Sequence, residues 1–273
     1  MNKEENKYNI GKPVPLSRVR GQLTVVGAGP GDPELITLKA IKAIESADVI
    51  LYDALINDEL LNYASPNTET IFVGKRKGCY AYRQEQINEL IVSRAKSHGH
   101  VVRLKGGDPF IFGRGAEEID YARQFDIETY MVPGISSSFA VPAYQGIPLT
   151  KRGASESFWV ITGTTKSHRL SNDVALAAKS TATVVILMGM GKLQEIVEVF
   201  KAENKHEVSV AIIQNGTTEQ EKVGFGTIST IVKVVEKSQL SSPAIIVIGD
   251  VVKQRAVLSS ILNNVKEQEN IDF

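Results

Sequence analysis

One cysteine, Cys79, and four histidines are all that 273 residues offer in the way of soft metal ligands and thiols. A single thiol cannot close an internal disulfide, and it suits a reducing compartment. The histidines are scattered and no metal-ligand spacing appears, so no metal is expected. Charge of one sign is also lacking: 31 basic residues face 31 acidic ones. No overall field therefore favours nucleic acid or an anionic membrane. No apolar run approaches membrane-spanning length, and the N-terminus lacks the apolar segment of a secretory signal. These absences together predict a cytoplasmic protein. There is no G-x-x-x-x-G-K-[ST] run, so the chain does not read as a nucleoside triphosphate hydrolase.

What remains is a regular alternation. Leu23–Val26, Val49–Tyr52, Thr70–Val73, Val101–Leu104 and Thr129–Val132 are short apolar or β-branched runs that predict strands. Ile36, Ala40, Ile41, Ala43, Ile44 and Ala47 mark one helical face between them, and Ile87, Leu90, Ile91 and Ala95 mark another. Strands separated by helices predict a mostly parallel sheet. The rhythm restarts near Val132-Pro-Gly-Ile135, with strands expected at Phe158–Thr162, Thr183–Met188, Ser209–Gln214 and Ala244–Gly249, and helices at Lys192–Glu203 and Ile228–Lys237. Val223–Thr227 has no helix before it, which gives the second half antiparallel potential. The expected organisation is two α/β domains, 21–132 and 133–252, with an interdomain cleft. Residues 1–20 read as a flexible extension and 253–273 as a polar tail.

Two glycine loops stand out. Leu23–Pro33 has the strand, the glycines and the following helix of a dinucleotide fingerprint, but Asp32 stands where the third glycine of G-x-G-x-x-G belongs. Asp32 before Pro33 predicts a helix N-cap with proline in the first position, and an acid there repels a pyrophosphate. The second loop, Gly106-Gly-Asp-Pro-Phe-Ile-Phe-Gly-Arg-Gly115, follows a strand it cannot continue, because proline removes a ladder donor. Paired glycines there allow a close backbone approach.

Val25–Pro33, Gly74-Lys-Arg76, Gly106–Gly115, Val132-Pro-Gly134 and Gly146-Ile-Pro-Leu-Thr150 together resemble the tetrapyrrole methyltransferases, in the right order from about Gly21 to Val252. Gly-Lys-Arg with Phe-Ile-Phe-Gly-Arg-Gly points to the branch acting on uroporphyrinogen III rather than to methylases of later corrinoid carbons. The resemblance implies methyl transfer from S-adenosylmethionine (AdoMet) to carbons 2 and 7 of uroporphyrinogen III. The products are then precorrin-2 and S-adenosylhomocysteine. It also implies a two-domain homodimer with the cofactor in the cleft. Fused relatives carry an extra dehydrogenase–ferrochelatase part, and a chain of this length is expected to be the stand-alone methyltransferase.

The resemblance assigns Pro30, Gly106, Gly107, Asp108 and Ile111 to the cofactor, with Ser136, Ser137, Met188, Gly216 and Ala244 from the second half. A carboxylate beside a cationic ligand is favourable, although Asp108 before Pro109 also fits an Asx turn. Ser136, Ser137 and Ser138 equally suit helix capping, and Met188 equally suits a core. Asp53 matches the family's proposed proton acceptor and Lys75 its proton donor; an exposed capping acid and a carboxylate-binding lysine are the plain readings of the two. Arg76, Arg114 and Arg152 are assigned to the substrate, whose acetate and propionate groups match a guanidinium fork. Relatives often carry histidine where this chain has Tyr80, Lys151 and Thr164.

Overall fold

The computed structural model describes residues 21–74 and 82–255. Its first half is a wholly parallel five-stranded sheet, ordered β3 (Glu69–Phe72), β2 (Val49–Tyr52), β4 (His100–Lys105), β1 (Gln22–Gly27) and β5 (Glu128–Val132). Alternate residues of these strands face opposite core layers. Leu23, Val25, Val49, Leu51 and Val101 pack with α2 (Gln84–His98) and α3 (Gly115–Arg123). Val26, Ile50, Val102, Leu104 and Val132 pack with α1 (Leu38–Glu45). Burial on both faces explains why the strands read as continuous apolar runs.

Helix α4 (Ser137–Tyr144) leads to the second sheet, ordered β6 (Phe158–Thr162), β7 (Thr183–Leu187), β10 (Ala244–Ile248), β8 (Ser209–Gln214) and β9 (Lys222–Thr227). Only β6 and β7 are parallel; β10 runs antiparallel to both β7 and β8, and β9 antiparallel to β8. α5 (Asp173–Lys179), α6 (Leu193–Ala202) and α7 (Ile231–Ser238) contribute to the apolar layer on one face. Val141 of α4, Ile147 and the turn at Val251–Val252 fill the other.

These directions decide where loops gather. In the parallel sheet the segments after β1, β2, β4 and β5 leave from one edge. In the mixed sheet Leu187 pairs with Ile245 and Gln214 with Ala244. The ends of β7 and β8 therefore lie beside the beginning of β10, which puts Met188, Asn215–Thr218 and Ser242–Ala244 together. The Ser242–Pro243 peptide is cis.

Asp32 is an N-cap with Pro33 in the first position, as the sequence predicts, and the structure changes three features around this pattern. Asp32 caps a three-residue 3-10 turn, Pro33–Leu35, by accepting from Glu34 N at 2.9 Å; α1 starts later, with Thr37 Oγ1 accepting from Ala40 N at 3.1 Å. Met188 lies past the end of β7, with φ 56°. Helices α3 and α5 have no counterpart in the expected pattern, and α4, whose start fits the capping reading of Ser136, continues through Pro142.

Candidate functional site

The loops of both sheets face a cleft of about 1400 Å³. On the first-sheet side it is lined by Pro30, Asp53, Gly106, Gly107, Asp108 and Ile111. From the other side come Ser136, Ser137, Met188, Gly216 and Ala244. Every position assigned to the cofactor is thus in one place, together with Asp53. Arg114 and Arg152 are not among the lining residues: Arg114 is exposed and paired with Glu117, and Arg152 is exposed in the turn closed by Lys151 and Ser155. Lys75 and Arg76, like Cys79 and Tyr80, lie outside the described residues.

The floor of the cleft is a junction of glycines. Gly107 N donates to Gly29 O at 2.7 Å and Gly29 N to Gly107 O at 3.3 Å, so the two glycine loops pair with each other. A Cβ on Gly134 would sit 2.3 Å from Gly107 O, and one on Gly27 would sit 2.5 Å from Gly134 Cα. Gly107 also needs a left-handed backbone, φ 69°. The glycines therefore serve backbone-on-backbone packing, which in turn leaves the loop backbone bare toward the cleft.

Asp108 locks this junction. Its Oδ1 accepts from Phe110 N at 2.8 Å, the expected Asx turn, and its Oδ2 accepts from Gly134 N at 3.1 Å. Each oxygen still has a lone pair for a ligand, so the structural and ligand uses coexist. Ser136 caps α4: its buried hydroxyl accepts from Ser138 N at 3.3 Å and shares a 2.8 Å bond with Ser138 Oγ. On the opposite wall, Met188, Asn215 and Thr217 adopt φ of 56°, 49° and 65° without being glycine. Such backbone is held by its surroundings and collects at ligand sites. Thr164 Oγ1 donates to Met188 O at 2.9 Å and Asp32 N donates to Thr217 Oγ1 at 3.1 Å. Thr164 lines the cleft, and Lys151 instead hydrogen-bonds Gln254.

Beneath Asp53 lies a buried charge cluster that the sequence reading did not single out. Glu118 of α3 is fully buried, and its Oε1 accepts from Lys105 Nζ at 3.0 Å, Gln84 Nε2 at 3.1 Å and Arg103 Nε at 3.2 Å. Glu118 Oε2 has no hydrogen-bond partner. Burial pushes the Lys105 amine below its ordinary pKa and the Arg103 charge pushes it the same way, against the pull of Glu118. The available signal was the pair of cations at alternate positions of an otherwise apolar central strand, with an acid on the next helix. Among the described residues no group of three His, Cys, Asp or Glu is placed to hold a metal ion, and no helix is long and apolar enough to cross a membrane.

The bare glycine backbone, the small hydroxyls and the carboxylates of Asp53 and Asp108 suit a ligand with an amino acid end, an adenosine and a sulfonium better than a phosphate ligand. Comparison with known proteins agrees with that chemistry. Residues 22–232 match the model of the tetrapyrrole (corrin/porphyrin) methylases. The chain belongs to the tetrapyrrole methylase family. It is 47% identical over 234 residues to the uroporphyrinogen-III C-methyltransferase of Methanocaldococcus jannaschii, covering 85% of this chain and 97% of that one. It is 42% identical to the siroheme synthase of Psychrobacter arcticus, again over 85% of this chain but only 42% of the longer relative. The uroporphyrin-III C-methyltransferase of Thermus thermophilus, solved with S-adenosyl homocysteine, superposes with a TM-score of 0.74 at 33% identity, covering 85% of this chain and 99% of that one.

Proposed function

We propose that this tetrapyrrole methylase is an AdoMet-dependent uroporphyrinogen-III C-methyltransferase, forming precorrin-2 by methylation at carbons 2 and 7. The observation carrying this reading is the convergence of Pro30, Gly106–Asp108, Ile111, Ser136, Ser137, Met188, Gly216 and Ala244 on one cleft beside Asp53, in a chain that matches a methyltransferase of this name over nearly its whole length. AdoMet supplies an electrophilic methyl group on its sulfonium, and a pyrrole carbon of the substrate attacks it.

The protein's own task is mostly to hold two reactants in line, which accounts for a large share of such a barrier. In this reading the glycine junction and Asp108 hold the cofactor, and Asp53 accepts a proton released at the macrocycle. Lys75 is the proposed donor, and Arg76, Arg114 and Arg152 bind substrate carboxylates. The proposal extends to a homodimer in the cytoplasm and to a division of the chain into 21–132 and 133–252, with 1–20 and 253–273 as extension and tail. Each sheet's own pair of core layers supports that division, and the single cysteine fits a reducing compartment. The siroheme synthase relative supports siroheme formation as the downstream route; a contribution to cobalamin-type corrinoids is the further extension.

The test is anaerobic incubation of uroporphyrinogen III with methyl-labelled AdoMet, followed by product mass. Two labelled methyl groups on the tetrapyrrole are expected, and absence of label from any tetrapyrrole overturns the reading.

A further inference from the structure

The proposed chemistry gives no role to the buried charges of β4 and α3, Arg103, Lys105 and Glu118. Arg103 and Glu118 are 4% and 0% exposed, and removing such charges from water costs several kcal/mol per ion. Stability alone does not explain keeping them, because well-packed apolar replacements of buried ion pairs are often neutral or stabilising. The strand around them is already apolar, with Val101, Val102 and Leu104 all fully buried.

The geometry of Arg103 gives a reason. Its guanidinium is gripped from three sides: Nε donates to Glu118 Oε1 at 3.2 Å, and Nη1 donates to Leu104 O at 2.8 Å and Leu51 O at 3.3 Å. The remaining Nη2 is 3.5 Å from Asp53 Oδ2. Leu51 and Asp53 are two residues apart at the end of β2, so one side chain engages both the strand and the carboxylate that follows it. Asp53 Oδ1 accepts from Leu55 N at 3.0 Å. The carboxylate thus accepts a hydrogen bond from a backbone amide on one oxygen and faces the Arg103 charge across 3.5 Å on the other, while its side chain stays 22% exposed at the cleft.

We propose that Arg103, anchored by Glu118, is a positioning residue that fixes the Asp53 carboxylate toward the cleft. The inference rests on the reading of Asp53 as the proton acceptor given above. A planar, always charged fork is required, because a lysine cannot span the carboxylate, two carbonyls and Glu118 at once. Lys105 Nζ donates to the same Glu118 Oε1 at 3.0 Å and ties the end of β4 to α3.

A double-mutant cycle on the full chain tests this, using single-turnover label transfer from AdoMet to uroporphyrinogen III and separate measurement of AdoMet binding. Arg103→Lys is expected to slow methyl transfer about tenfold, in the middle of the range for coupled neighbours, with the AdoMet Kd within about twofold of the starting protein. On an Asp53→Asn background the same substitution is expected to have no further effect. Equal losses on both backgrounds, or AdoMet binding falling in step with the rate, overturn the inference and leave the reading of Asp53 standing. Full turnover by Asp53→Asn alone overturns that reading instead. Glu118→Gln, which keeps shape and removes the anchor, is expected to repeat the pattern of Arg103→Lys. Failure of both variants to fold assigns the cluster to stability alone and overturns the proposal.

Discussion

The two walls of the cleft solve one problem by opposite means. The first-sheet wall places bare backbone by having no Cβ: Gly27, Gly107 and Gly134 approach until any added carbon would meet backbone at 2.3–2.7 Å or, at Gly107, oppose φ 69°. The second-sheet wall uses Met188, Asn215 and Thr217, side chains forced into left-handed backbone. At Gly27 and Gly134 the limit is space, and at Met188, Asn215 and Thr217 it is conformation. Glycine gives close packing at an entropic cost in the unfolded chain. A strained side chain keeps a contact surface but needs a surrounding that over-determines it, here Thr164 Oγ1 on Met188 O and Asp32 N on Thr217 Oγ1.

If this contrast is right, alanine and glycine substitutions act with opposite sign on the two walls. The largest effect is expected for Gly134→Ala, whose Cβ would meet the backbone of Gly107 and Gly27 with no flexible side chain to give way. A loss of about 3 kcal/mol is expected, the upper end for overpacking, with AdoMet binding lost as well. Urea denaturation and calorimetric titration check it; a fully stable Gly134→Ala protein breaks the space-limited half of the comparison.

Asp108 comes next, because it ties the second glycine loop to the connector at Gly134. Asp108→Asn keeps one acceptor where two backbone amides, Phe110 N and Gly134 N, now bond. Leaving one amide unpaired costs roughly 1–3 kcal/mol. The AdoMet KM is expected to rise more than the uroporphyrinogen KM. Matching rises in the two constants would remove Asp108 from the cofactor side.

On the opposite wall Met188→Gly is expected to be more stable than Met188→Ala by about 1 kcal/mol, the left-handed cost that alanine retains and glycine escapes. Both variants lose the same thioether, so their AdoMet affinities are expected to fall together. Thermal unfolding of the pair gives the sign. Greater stability of the alanine variant would show that the second wall is not under conformational load.

The contrast also explains what the sequence made legible. Glycine is visible as a letter, and Gly-Gly-Asp-Pro directly after an apolar run announced the first wall together with its Asx turn. The parallel order was visible because a strand buried on both faces reads as an unbroken apolar run. Left-handed Met188 and Thr217 carry no such letter: Met188 read as the last residue of a strand because the backbone reversal is imposed by tertiary contacts. The start of helix α4 was legible in its capping serine, but its extent was masked by Pro142, a local signal against helix that packing on β7 and β10 overrides. The charge cluster was hidden differently. Arg103 and Lys105 stand in the strand that runs into the second glycine loop, but Glu118 lies 13 residues beyond Lys105 and only the fold brings it beneath them. The glycines themselves were read as ligand contacts, whereas much of their closeness is to one another.

Arg114 offers the smallest test, since it is a left-handed, non-glycine residue on the glycine side, with φ 62° at the N-cap of α3. Its guanidinium pairs with Glu117, and both side chains are about half exposed, at 48% and 56%. The hydrogen bond from Arg114 is the largest influence holding the Glu117 carboxyl below its ordinary value of 4.5. A depressed folded-state pKa means that the pair's contribution is present above that value and is lost as pH falls through the folded-state pKa. Exposure and solvent screening keep it below about 1 kcal/mol. Arg114→Ala is therefore expected to be slightly less stable than the starting protein at neutral pH, with the two urea midpoints converging in acid. Arg114→Gly is expected to recover part of the neutral-pH loss by relieving the left-handed backbone. Turnover separates this from function: both variants are expected to raise the tetrapyrrole KM while leaving AdoMet affinity unchanged. A defect confined to AdoMet would move Arg114 onto the cofactor wall and erase the division of the loop.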